Sequence, residues 1–257
     1  MSLSVAASTQ PLTAETVFEL LQRVRERAPR VHAITNAVAQ TFTANVLLAV
    51  GAVPSMTISV EEVAGFASSA DALLINLGTL DTARRDAIPI AIEAARSAGR
   101  PVSIDPVFAD RSTVRCAYAK KLMASKPDLV RLNERELDAL FPERLEAEAM
   151  IASGTVLAVT GAEDKIESAG EDFRLLNGHP LMARVTATGC AGGAVLAAFA
   201  SVERDIALAA ASGLSVFNIA GEIAGERAAG PGSLVPELLD ALYTLTDRDI
   251  EIRLKTV

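Results

Sequence analysis

Tryptophan is absent from the 257 residues, aromatic residues supply 4%, and there are two cysteines and two histidines. Two cysteines exclude a disulfide-stapled scaffold. With so few aromatics, the core has to come from small and branched aliphatic side chains packed closely. A basic surplus is also missing: 24 Lys and Arg stand against 32 Asp and Glu, a net charge of −8. That excludes a nucleic-acid partner held on a basic face. Glycine (16) and proline (11) sit near ordinary levels, which excludes collagen-like and low-complexity chains. Several motifs are lacking too: no P-loop, no G-x-G-x-x-G after a strand, no H-E-x-x-H, no C-x-x-C and no G-x-S-x-G.

Charge is missing locally as well. Residues 33–60, 185–202 and 206–221 carry no Asp, Glu, Lys or Arg. A membrane span needs about 20 mostly apolar residues. The first stretch is broken by Asn36, Gln40, Asn45, Gly51 and Pro54, the second opens on Thr186, Thr188 and Gly189, and the third is short. All three read as buried elements of a protein core with no membrane partner. Residues 1–12 lack a charged, apolar leader pattern and read as a loose lead-in, which makes a cytoplasmic location the default.

Half of the residues are apolar, which excludes a disordered chain. Their spacing alternates between two periods. Helices are predicted over 13–28, 36–50, 61–68, 81–98, 114–125, 133–140, 143–152, 189–202, 204–226 and 234–246. Strands are predicted over 31–34, 53–58, 72–77, 102–104, 129–132, 155–160, 165–168 and 172–175. Alternating strands and helices give an α/β fold with a mostly parallel sheet. No composition break divides the chain, so 1–257 reads as one domain.

In such sheets ligands bind beyond the C-terminal strand ends. Four polar features fall there. Val185-Thr186-Ala187-Thr188-Gly189-Cys190 runs from a small turn into a helix, a natural anion site, and the same helix end predicts a stabilised thiolate at Cys190. Its plainer alternative is a tightly packed helix start with a buried Cys. Asp105 ends a strand, where it suits Mg²⁺ or a turn equally. Asn133 and Glu136 form a capping pattern beside that edge, and Thr160-Gly161 ends another strand. His32, His179 and Cys116 read as structural.

With these residues in view, the chain resembles the hydroxyethylthiazole kinases of the ribokinase-like superfamily. The likeness rests on an ordered series: Val31-His32-Ala33-Ile34-Thr35-Asn36, Phe42-Thr43-Ala44-Asn45, Gly51-Ala52-Val53-Pro54-Ser55-Met56, Asn76-Leu77-Gly78-Thr79-Leu80, Asp105-Pro106-Val107, Asn177-Gly178-His179, Thr188-Gly189-Cys190 and Gly230-Pro231-Gly232-Ser233. The resemblance implies a ribokinase-like three-layer sandwich. It implies an ATP- and Mg²⁺-dependent kinase acting on the alcohol of 4-methyl-5-(2-hydroxyethyl)thiazole in thiamine salvage, assembled as a homotrimer with sites between subunits. By the same resemblance Met56 and Ala187 line the substrate, Arg131 and Thr160 hold ATP, Asp105 and Glu136 are metal-associated, and Cys190 stands at the catalytic-base position. The chain departs from the usual family pattern at Ala187 and Leu132, where glycine is usual, and at Phe108-Ala109-Asp110-Arg111, where the loop is usually glycine-rich. These departures raise two alternatives: a kinase for another small heteroaromatic alcohol, or a ligand-binding homologue with weakened catalysis.

Overall fold

The computed structural model describes residues 12–257; the lead-in expected over 1–12 lies, apart from Leu12, outside them. The strands are β1 (Arg30–Ile34), β2 (Val53–Ser55), β3 (Ala72–Asn76), β4 (Val102–Asp105), β5 (Leu129–Asn133), β6 (Val156–Thr160), β7 (Asp164–Glu167) and β8 (Phe173–Leu175). They form one sheet in the order β2-β1-β3-β4-β5-β6-β7-β8. The first six in that order are parallel, and β7 and β8 are added antiparallel as a hairpin. The helices are α1 (Ala14–Arg27), α2 (Gln40–Val50), α3 (Val63–Ser69), α4 (Thr82–Ser97), α5 (Thr113–Met123), α6 (Glu134–Leu140), α7 (Leu145–Ala152), α8 (Thr188–Ala200), α9 (Ile206–Arg227), α10 (Pro231–Thr244) and α11 (Asp247–Arg253).

Two apolar layers enclose the sheet. One joins α1, α2, α8, α9 and α10 to Val31, Ala33, Ala72, Leu74, Leu129, Val156 and Ala158. The other joins α3 to α7 with Ile34, Leu73, Ile75, Val102, Ile104, Val130, Leu132, Leu157 and Val159. Side chains alternate across a strand. Since Ile75, Ile104, Leu132 and Val159 face the α3–α7 layer, their neighbours Asn76, Asp105, Arg131 and Thr160 are on the α8 side. Period two thus places four polar residues of four strands on one face of the sheet.

Local chemistry explains where the elements differ from their predicted bounds. The helix expected from residue 36 starts at Gln40, because the Asn36 Oδ1 accepts from the Ala39 N–H (2.9 Å) and closes a turn first. The strand expected over 53–58 stops at Ser55; β2 is an edge strand, and Pro54 carries no donor. Helix α10 begins at Pro231, behind Gly230. None of the predicted helices covers the short α11, although Thr246 and Asp249 form a capping box at its start. The uncharged run 206–221 belongs to a 22-residue helix, α9, long and apolar enough to span a bilayer by length and composition. This helix is almost wholly buried inside the protein, against α1, α8 and α10.

Candidate active site

Helix α8 starts at the point where the polar strand ends converge. Its N-cap, Ala187, has φ 69° and ψ 0°, in the left-handed region. An L-residue costs roughly 1–2 kcal/mol there and glycine costs almost nothing. The α8 start also needs close contact. A Cβ on Gly189 would sit 2.9 Å from Arg131 Nη1, and one on Gly193 would sit 3.4 Å from Asp105 Oδ2. Glycine at both positions lets the guanidinium and carboxylate approach the first turns of α8. The first-turn N–H groups of a helix have no acceptor within it and carry partial positive charge.

Behind this turn a hydrogen-bonded chain runs from Cys190 to Asp105, and an ion pair extends it to Arg131. Asn36 Nδ2 donates to Cys190 Sγ (3.1 Å) and to Asn76 Oδ1 (3.1 Å). Asn76 Nδ2 donates to Asp105 Oδ2 (3.0 Å), and Arg131 Nη1 lies 3.6 Å from the same oxygen. Both amides are oriented by backbone donors, Ala39 N–H on Asn36 Oδ1 and Gly78 N–H on Asn76 Oδ1 (3.0 Å). Each Asn therefore presents its NH₂ toward the thiol or carboxylate. Gly78 is fitted to this arrangement: a Cβ there would lie 2.6 Å from Asn36 Nδ2.

Burial sets the protonation states. Asp105 has no exposed surface, and its pKa rises to about 7. Desolvation is the main cause and Glu136 adds to it, while Arg131 and the Asn76 bond act in the opposite direction. The other oxygen of Asp105, Oδ1, is buried without a hydrogen-bond partner. The Cys190 thiol is likewise pushed above its ordinary value, first by burial and then by Asp105. This reverses the expected stabilised thiolate: the helix end and the two Asn donors are outweighed by desolvation and a neighbouring acid.

Glu136 is buried as well, and both its oxygens are engaged. Oε2 accepts from Asn133 N–H (3.0 Å) and Oε1 from Phe108 N–H (2.8 Å). The capping box is thus present, and the same carboxylate fixes the loop after β4, where Phe108 is left-handed (φ 61°).

A cavity of about 630 Å³ opens on the β5–β6 side of α8. Arg131, Thr160, Gly189 and Gly192 line it, with Asp164 and Asn218 opposite. Those last two were not read from the sequence. Asp164 Oδ1 accepts from Gly161 N–H (2.9 Å) and Oδ2 from Asn218 Nδ2 (2.6 Å). The available signal was Asn218, a polar residue inside the apolar α9. A smaller cavity of about 350 Å³ adjoins at Asn133, Thr160 and Gly161 and reaches Phe108 and Arg111. Met56 is not among the residues lining either cavity. It follows β2, three strands from β4 on the other side, roughly 14 Å away at the usual strand spacing. The sheet edge is thus divided: Met56 and Asn36 at one end, Arg131 and Thr160 at the other, and Asp105 with Cys190 between. Among the described residues, no three His, Cys, Asp or Glu side chains form a metal-ligand group.

The chain has relatives over nearly its whole length. The model of the hydroxyethylthiazole kinase family matches residues 21–150 and 143–248. A hydroxyethylthiazole kinase of Granulibacter bethesdensis is 45% identical over 251 residues, covering 91% of each chain. The solved hydroxyethylthiazole kinase of Pyrococcus horikoshii superposes with a TM-score of 0.88 at 37% identity, over 95% of this chain and 98% of that one. A ribokinase-like superfamily protein of Enterococcus faecalis shares the fold at 15% identity and a TM-score of 0.63, over 90% of this chain and 94% of that one. The three-layer fold is ribokinase-like, and a match of this identity over nine-tenths of the length places the chain itself in the hydroxyethylthiazole kinase family.

Proposed function

We propose that the protein transfers the γ-phosphoryl group of ATP to the hydroxyl of 4-methyl-5-(2-hydroxyethyl)thiazole, as a single kinase domain in thiamine salvage. The observation that carries this reading is the line from Cys190 through Asn36, Asn76 and Asp105 to Arg131, lying between an open α8 N-terminus and a nucleotide-sized cavity. ATP belongs in that cavity, with Arg131 and Thr160 at its phosphates. The acceptor belongs on the Met56 side, with Ala187 at the junction.

Phosphoryl transfer depends on positioning and charge stabilisation more than on covalent chemistry. The first-turn N–H groups of α8 and the Arg131 guanidinium face the transferring group and offset its charge. Cys190 Sγ, held as a neutral thiol, orients the acceptor hydroxyl; the loose transition state makes only a small demand on a base. Mg²⁺ fits the buried, unpartnered Asp105 Oδ1, since this ion is commonly held by one or two carboxylates together with substrate phosphates and water. When bound, it supplies Lewis-acid neutralisation of the polyphosphate. Glu136 acts on this site through charge and through the Phe108 loop it fastens.

A homotrimer in the cytoplasm completes the proposal. Val38, Leu48, Val53, Val60 and Phe66 are exposed around the β2 edge, an apolar surface suited to a neighbouring copy. Light scattering after gel filtration reads that state, and a monomer at working concentration removes it. The function is tested with an acceptor panel of thiazole, pyrimidine and sugar alcohols at equal concentration with ATP. Thiazole should give the highest kcat/KM. Faster turnover of another alcohol overturns the substrate assignment.

A further inference from the structure

His32 is fully buried in β1, yet both of its ring nitrogens are used outside that strand. Nδ1 lies 2.8 Å from Ser55 Oγ, and Nε2 lies 3.1 Å from the Thr57 carbonyl oxygen. A carbonyl only accepts, so Nε2 carries the proton, and Nδ1 accepts from the Ser55 hydroxyl. Ser55 and Thr57 are the two neighbours of Met56. One ring therefore fastens the chain on each side of the residue proposed to face the thiazole.

The sheet explains how this sets direction. His32 and Ser55 are in register on adjacent parallel strands, so their side chains share a face. That face belongs to α3, whose Phe66 ring lies 5.7 Å from the imidazole, centroid to centroid. Met56 instead packs into the opposite layer, which holds α2, α8 and α9. Farther on, Thr57 Oγ1 donates to Glu62 at the start of α3. The segment is thus anchored on the α3 side while Met56 projects toward the α8 side, where Cys190 lies. Edge strand β2 has only three residues and gives this loop little support of its own.

We infer that His32 is a specificity-determining positioning residue, which holds residues 55–57 so that Met56 faces the acceptor. It does not touch substrate. The inference rests on the reading above that Met56 lines the acceptor site. A purely structural histidine would affect stability or all kinetic parameters together, whereas a positioning role is selective for one substrate.

The test compares wild type with His32→Phe, which keeps a ring but neither bond, His32→Gln, whose amide N–H reproduces the Nε2 donor, and Ser55→Ala, which removes one anchor at the strand edge. Steady-state KM values for ATP and for the acceptor are measured, together with amide hydrogen exchange over residues 55–58. His32→Phe should raise the acceptor KM by roughly tenfold, leave the ATP KM within about twofold, and speed exchange in 55–58. Ser55→Ala should raise the acceptor KM less, and His32→Gln should recover most of it. An unchanged acceptor KM in both His32→Phe and Ser55→Ala, or an equal rise in both KM values, overturns the inference. Should His32→Phe fail to fold, Ser55→Ala carries the test: a raised acceptor KM with an unchanged ATP KM supports the inference, and an unchanged acceptor KM overturns it. A wild type that prefers another alcohol overturns the thiazole assignment alone, and the variants are then measured with that alcohol.

Discussion

Asp105 and Arg131 lie 3.6 Å apart on the neighbouring strands β4 and β5, yet the guanidinium does not keep the carboxylate at an ordinary pKa. Full burial wins, and the acid titrates near 7. The sign follows from linkage. Between the ordinary carboxylate value and 7, the folded protein binds a proton that the unfolded chain has released, so stability falls as pH rises through that window. Asp105→Asn removes the effect while keeping the shape. Wild type and variant should be equally stable near pH 4, and the variant should gain up to about 4 kcal/mol by pH 8, measured by urea unfolding. Parallel stability curves across that range would show that Asp105 is ionised throughout.

The same substitution tests the metal assignment. An amide lacks the charge that makes Asp105 Oδ1 a ligand for a hard cation. Asp105→Asn should shift the Mg²⁺ titration of activity to higher concentration. Superimposable titrations would remove Asp105 from the metal site.

Cys190 should be unreactive for a cysteine at a helix start. It is 9% exposed and its thiol is pushed up by burial and by Asp105, whereas Cys116 is half-buried on α5. Iodoacetamide at pH 8 should label Cys116 first, as mass spectrometry of the peptides would read. Cys190→Ala should lower kcat tenfold or more with little change in either KM, because the thiol orients the hydroxyl during transfer. An unchanged kcat would leave the thiol with a packing role.

Ala187 stands at φ 69°, where its Cβ is unfavourable. Ala187→Gly should therefore stabilise the protein or leave it unchanged, despite the added freedom of the unfolded chain, with a gain of about 1 kcal/mol at most. It also removes a methyl group from the proposed junction of acceptor and phosphoryl group, so the acceptor KM should change more than the ATP KM. Thermal unfolding and steady-state kinetics check the two halves separately.

The sheet was legible in the sequence because its signal is local. The stretch 72–75 is a continuous apolar run, and Asn133 and Glu136, three residues apart, form a capping box. The positions of Asp105 and Thr160 at strand ends followed from the same patterns. What was hidden is contact across the chain. Asn36 meets Cys190 from 154 residues away and Asn76 from 40, and no spacing rule joins them. The Cys190 thiol departs from the helix-end rule for the same reason: that rule is local, but desolvation comes from the whole fold.

The Asp164–Asn218 pair gives the last test, on the side of the site that only the fold assembles. Asp164 is buried and burial raises its pKa, with Gly161 N–H and Asn218 Nδ2 partly offsetting that. Asn218→Leu leaves Asp164 Oδ2 facing an apolar side chain, which costs roughly 1–3 kcal/mol for an unpaired buried acceptor. The β6–β7 turn held by Asp164 then loosens beside Thr160, so the ATP KM should rise several-fold and the acceptor KM should stay constant. Asn218→Asp instead places a second carboxylate against Asp164 and should be tolerated best at low pH, where one proton can be shared between them. Equal ATP KM values in wild type and Asn218→Leu would mean that this end of the cavity lies beyond the nucleotide.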